Sequence, residues 1–189
     1  MNTTLIVVVT IVLVFLLIIV SVFNSLTNKK NQVINAFGSV DVQLKNRYDL
    51  IPNLVATVQQ YAAHEKQLLT KITDLRSHVL KHDVTAEDRV NLDNQITSAL
   101  SGLMVSVENY PDLKANQNFI DLQRALNEVE SQIAASRRAY NAAVTDYNNA
   151  IEMFPGNLLS GMMLLKPRPV FTASEAEREH VSVKDLFKS

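Results

Sequence analysis

The chain has no cysteine and no tryptophan, and only four glycines and five prolines among its 189 residues. Without cysteine there is no thiolate nucleophile, no disulfide and no thiol for a lipoprotein-type anchor. That absence does not choose a compartment, because it suits reducing and oxidising surroundings alike. Gly-rich phosphate loops are missing, as is a Gly-x-Ser-x-Gly nucleophile elbow. Charge of one sign is also missing. Eighteen Lys and Arg stand against nineteen Asp and Glu, with both signs interspersed, so no basic footprint for nucleic acid exists and no such partner is expected. The most informative absence is local: no charged side chain precedes Lys29.

What fills that uncharged stretch is apolar. Residues 5–23 are Leu, Ile, Val and Phe, interrupted only by Thr10 and Ser21. At about 1.5 Å per residue, nineteen residues make a helix of roughly 28 Å, the thickness of a bilayer's hydrocarbon. Such a segment must be helical in lipid, where only the chain itself can satisfy its backbone. A signal peptide would carry a basic n-region, a shorter apolar core and small residues before a cleavage site. None of these is present here, and the residues around Val22-Phe23-Asn24-Ser25 have the wrong sizes. A retained single-pass anchor is expected over residues 1–28. Lys29 and Lys30 follow the span, so the positive-inside rule puts the C-terminal part in the cytoplasm and the short N-terminus outside.

About 160 remaining residues suit one domain. Their apolar residues recur every three or four positions, and no stretch alternates as a strand would. A first helix carries Val33, Phe37, Val40, Leu44 and Tyr48, and continues the membrane helix. Asp49 as N-cap with Pro52 in the first turn predicts the start of a second, whose stripe runs from Ile51 to Val79. Thr85 and Asp88 resemble a capping box before a third, with Leu92, Ile96, Leu100, Leu103 and Val107. Pro111 stops that helix. The fourth runs from Phe119 through Leu126, Ile133, Tyr140, Val144, Tyr147 and Ile151 to Phe154, where Pro155-Gly156 ends it with the glycine in a left-handed position. One stripe per helix requires partner helices. The expected fold is all-α: an N-terminal single transmembrane helix followed by a long antiparallel four-helix bundle over residues 29–165. Leu44, Ile51, Leu54, Val58, Ile72, Ile96, Leu103, Leu126, Ile133, Val144 and Ile151 should be inside. Residues 166–189 are expected to form an extended, mobile tail, charged from Ser174 onward.

Little chemistry is on offer. His78 and His82 have metal-compatible spacing, but Val79 stands where a metalloprotease motif needs Glu, and paired Glu-x-x-His motifs are absent. No catalytic residue, metal or cofactor is expected. Arg137 lies at the apolar seam of the fourth helix and needs a carboxylate, for which Asp41 and Asp49 are the candidates. Such a pair would fix which helix faces which. The segment NLLSGMMLL at residues 157–165 falls outside the bundle period and is followed by Lys166 and Arg168. It suits capping the bundle, lying on the membrane or touching a neighbouring subunit. Leu158, Leu159, Met162 and Met163 are taken as subunit contacts, because no glycine before Gly38 offers close packing between the spans themselves.

The block VDVQLKNRYDLIPNLV at residues 40–55 and YAAHEK at 61–66 resemble the LemA family of bacterial membrane proteins. So do YPDLKANQNF at 110–119, SRRAYNAAV at 136–144 and FPGNLL at 154–159. The resemblance covers nearly the whole chain. It implies an N-terminal transmembrane helix, a long antiparallel helical bundle, a short N-terminus outside the bacterial inner membrane, and no known catalytic activity. Relatives include a protein of magnetosome membranes, and family genes often lie near those for membrane proteases. The chain departs from the family's habit of Trp at the place of Phe37, and at Met163-Leu164-Leu165-Lys166 and Phe171-Thr172-Ala173. Residues and resemblance together lead to the expectation of a membrane-anchored scaffold that forms homo-oligomers. The alternative is an adaptor for a membrane partner such as a membrane protease.

Overall fold

A computed structural model describes residues 3–81 and 86–171; these residues are helical or irregular, with no strand among them. In chain order the helices are α1 (Thr3–Gln59), a 3-10 turn (Ala63–Glu65), α2 (Lys66–Val79), α3 (Ala86–Val107), α4 (Pro111–Lys114), α5 (Gln117–Glu152) and α6 (Gly156–Met162). Two compact units divide the described chain. One joins Met1–Gln43 to Gln132–Phe171, and the other is Leu44–Ser131. The long helices α1 and α5 each contribute a segment to both.

The apolar period builds both cores. All eleven side chains expected inside are buried, from Leu44 on α1 to Ile151 on α5. Along α1 the covered face passes through Leu26, Val33, Val40, Leu44, Ile51, Leu54 and Val58, in steps of three, four and seven that keep it on one side of the helix. Residues 5–23 have no such face. Most of their side chains are exposed, and only Ile19 and Val22 are half-buried. In the second unit α2 packs on α3 and on the 3-10 turn, and α3 packs on α4.

The first break in the chain is not where the sequence puts it. No helix starts at Pro52; α1 runs through this proline to Gln59. Pro52 has no N–H to donate to the carbonyl of Tyr48, four residues back. Arg76 of α2 donates its Nε–H to that carbonyl at 2.7 Å, so a tertiary donor stands at the place the proline leaves. The break comes instead just after Gln59, at Tyr61 and Ala62, whose N–H groups both donate to the Val58 carbonyl, and Ala62 is fully buried. Pro111 falls at the first position of α4, where its missing N–H costs little. Asn116 accepts the Phe119 N–H at 3.1 Å and so caps α5. The capping box at Thr85 lies outside the described residues.

Gly156 also differs from expectation. It begins α6 rather than taking a left-handed conformation, and no glycine has positive φ among the described residues. Close approach demands it: a Cβ there would sit 1.9 Å from the Ala150 carbonyl oxygen and 3.4 Å from Leu26 Cδ2. The left-handed residue is Leu164, with φ of 52°.

After α6 the chain turns and runs back along α5 without helical structure. Two asparagines of α5 hold it. Asn148 donates to the Arg168 carbonyl and accepts the Arg168 N–H, both at 2.9 Å. Asn141 does the same to Phe171 at 2.8 Å. Tyr147 and Tyr140 donate their hydroxyls to the Lys166 and Pro169 carbonyls at 3.2 and 3.4 Å. Seven helical residues rise about 10.5 Å and three extended ones about 10 Å, so each pair of partners stays in register. The expected tail begins here; residues 172–189 lie outside the described residues.

Candidate functional site

The most polar place in the second unit is also one of its driest. Arg47 of α1 and Asp93 of α3 are each 1% exposed. The Arg47 Nη2 group pairs with the Asp93 carboxylate, to which the Tyr48 hydroxyl also donates at 2.8 Å. Arg47 Nη1 donates to Glu130 Oε1 of α5 at 2.8 Å and to Thr97 Oγ1 at 2.9 Å. Thr97 in turn donates to the Asp93 carbonyl at 3.0 Å. A buried charge is tolerable only when paired and hydrogen-bonded, and this guanidinium meets two carboxylates and a hydroxyl. It joins α1, α3 and α5 at one point. As chemistry the cluster is closed: the guanidinium can only donate, and the Asp93 carboxylate accepts from the Arg47 Nη2 group and the Tyr48 hydroxyl. It is a lock between helices.

A second polar contact lies near the Tyr61 break. The Tyr110 hydroxyl faces Glu65 Oε1 at 3.4 Å, and Asn116 donates to the Tyr61 hydroxyl at 2.9 Å. Burial raises the Tyr110 phenol above its ordinary value of 10.0, and the Glu65 charge and hydrogen bond raise it further. Tyr140 is also raised by burial, against an opposing pull from Arg168. His64 and His78 line an open surface depression with Lys66, Lys71 and Asp74. His82 lies outside the described residues. Among the described residues no three His, Asp or Glu side chains converge as a metal ion would require.

The residues singled out from the sequence have varied placements. Arg137 is half-buried, with its guanidinium centre 5.6 Å from the Phe171 ring centroid. Asp41 is exposed on α1 in the same unit. Asp49 is exposed in the other unit and pairs with Lys45 one turn before it. Leu158 and Met162 are exposed, whereas Leu159 and Met163 are half-buried. Sequence reasoning missed Arg47 and Asp93. The signal was present for Arg47, because it stands three residues after Leu44 and four before Ile51, on the stripe itself.

The sequence matches the model of the LemA family over residues 36–184, most of the chain and both described units. The chain belongs to the LemA family. Protein LemA of Metamycoplasma hominis is 31% identical over 163 residues, which cover 86% of this chain and 74% of that protein. Magnetosome protein MamQ 2 of Paramagnetospirillum magneticum is 24% identical, and magnetosome protein MamQ of Magnetospirillum gryphiswaldense 22%. Each of these two matches covers 80% of this chain and 65% of the relative, so this LemA family member spans somewhat less than two thirds of their length. Its Arg47 and Asp93 lie within the matched region, as do Arg137, Leu158 and Met162.

Proposed function

We propose that this LemA family member is a non-enzymatic, membrane-anchored scaffold that assembles with copies of itself on a bacterial inner membrane. One observation carries the reading. The 57 residues of α1 form one unbroken helix, apolar and mostly exposed over residues 5–23 and built into packed cores thereafter. It is long and apolar enough to cross a membrane. An anchor that is continuous with a packed core holds the unit it enters in a fixed attitude to the bilayer, which suits assembly better than a tethered catalyst. Lys29 and Lys30 after the span support a cytoplasmic soluble part. The remaining helices complete an antiparallel four-helix bundle in this reading. Within it Arg137 with Asp41 or Asp49 sets helix register, and a cost of Arg137→Leu that is the same with and without Asp41→Leu, and with and without Asp49→Leu, would reject that pairing. Parallel anchors raise local concentration and align the copies. Light scattering on the full chain in detergent tests the reading. It predicts a homo-oligomer of defined size, and a strictly monomeric species overturns it. A second protein co-purifying in fixed ratio with a monomeric chain supports an adaptor for a membrane partner instead.

A further inference from the structure

The end of α5 and the short α6 carry a surface that nothing in the unit covers. Met153, Phe154, Leu158, Met162 and Leu164 are 64% to 84% exposed, more than any large apolar side chain of residues 5–23. Phe154, which the stripe of α5 leads one to expect inside, belongs to this surface. Gly156 and Ser160 form the opposite, buried face of α6, fastened by the Ser160 hydroxyl, which donates to the Ile151 carbonyl at 3.0 Å. The segment is therefore held in place with its large apolar groups turned outward. Patches of this kind mark a partner.

The height of the patch along α1 identifies the partner. Lys29 of α1 bonds Asp146 of α5 at 2.7 Å, and Phe37 meets Tyr140, with centroids 5.8 Å apart. As α5 advances, it approaches the apolar run of α1. From Asp146 to Glu152 is six residues, and from Lys29 back to Phe23 is also six, about 9 Å on each helix. The Gly156 turn rests on Leu26, three residues beyond that run. Ile19 and Val22, on the same face of α1 as Leu26, are half-buried inside it. The exposed side chains thus lie level with the end of the hydrocarbon span. Lys30 and Lys166 are exposed and Arg168 half-buried at this end of the unit, suited to lipid headgroups; the exposed carboxylates there are Glu152 and Asp146, the latter paired with Lys29.

We propose that residues 153–164 form a foot that lies in the headgroup boundary of the leaflet from which α1 emerges, with Met153, Phe154, Leu158 and Met162 in the acyl-chain margin. The inference rests on residues 5–23 being a span. It gives the segment expected to contact a neighbouring subunit a nearer partner: the anchor itself brings lipid to that height in every molecule, whereas a second copy must bring a matching patch. A foot beside the anchor fixes the tilt of the unit to which both belong with two supports.

The absence of tryptophan makes the test direct, since any introduced indole is the sole one. Full-length Phe154→Trp and Met162→Trp, in vesicles of mixed zwitterionic and anionic lipid, should lose most of their emission to lipids brominated high on the acyl chain. Aqueous iodide should leave them bright. Phe15→Trp should respond to lipids brominated near the chain end, and Val105→Trp, exposed on α3, to iodide alone. Foot indoles quenched by iodide and untouched by bromolipid overturn the foot, while deep quenching of Phe15→Trp preserves the anchor. Foot indoles shielded from both quenchers overturn it in favour of a contact between copies. A Phe15→Trp indole that no bromolipid reaches overturns the span, and the foot with it.

Discussion

At the scale of single residues, the stability of the second unit turns on one cation. Arg47 occupies a position where the helical stripe calls for an apolar side chain, and the fold accepts it by bringing Asp93, Thr97 and Glu130 to meet it. Arg47→Met keeps most of the stem's volume and takes the guanidinium away from the buried Asp93 carboxylate. Removing one partner of a buried pair costs about 3–5 kcal/mol, whereas replacing both by apolar groups is often neutral. Urea unfolding of the soluble part should therefore show a large loss for Arg47→Met and a much smaller one for Arg47→Met with Asp93→Leu. Glu130 is 41% exposed and returns to water in either variant, so it does not obscure the comparison. A single variant as stable as the parent would mean that water already reaches the cluster. The cation was legible as an anomaly on the stripe. Its partner was not, because Asp93 is one of several polar residues on α3, and only packing decides which of them turns inward.

At the scale of elements, burial was legible and punctuation only in part: Pro111 and Pro155-Gly156 do mark helix ends, whereas Pro52 does not. The eleven core positions followed from a period of three to four, which any packed helix must show. The helix break did not follow, because Asp49 and Pro52 carry a helix-start signal that a tertiary hydrogen bond overrides. The true break at Ala62 contains neither glycine nor proline, and long-range partners such as Asn116 stand around it. The strap of residues 166–171 was hidden for a similar reason: Asn141 and Asn148 look like solvated polar residues until the chain that they grip is known. The override can be measured. Arg76→Met removes the side-chain donor to the Tyr48 carbonyl, and bonds involving a charged group contribute about 1.5–3 kcal/mol. Pro52→Ala supplies a helical N–H to the same carbonyl. Arg76→Met should therefore cost clearly less in the Pro52→Ala background than in the parent, by chemical denaturation of all four proteins. Equal costs in the two backgrounds would separate the arginine from the proline.

At the scale of the whole molecule, the continuity of α1 would make the anchor, in the scaffold proposed above, part of the assembly rather than an attachment to it. Removing residues 1–23 takes away, among the described residues 3–23, only side chains that are exposed or half-buried, so the helices beyond should fold unchanged. What is lost is the alignment of neighbours. Copies tied to one bilayer meet at an effective concentration that short tethers bring to about the millimolar range, and weak contacts then suffice for assembly. Freed of the anchor, the same contacts must work at the concentration in solution. The shortened chain should keep its helical circular dichroism and unfold cooperatively. Its mass by light scattering should fall towards that of one chain on dilution, while the full chain in detergent keeps its oligomer over the same range. If the shortened chain holds its oligomer at high dilution, the soluble contacts are strong by themselves and the anchor serves only to place the assembly. If it loses its helices, the half-buried Ile19 and Val22 belong to the folding core, and the boundary between anchor and domain lies deeper in the apolar run than Phe23.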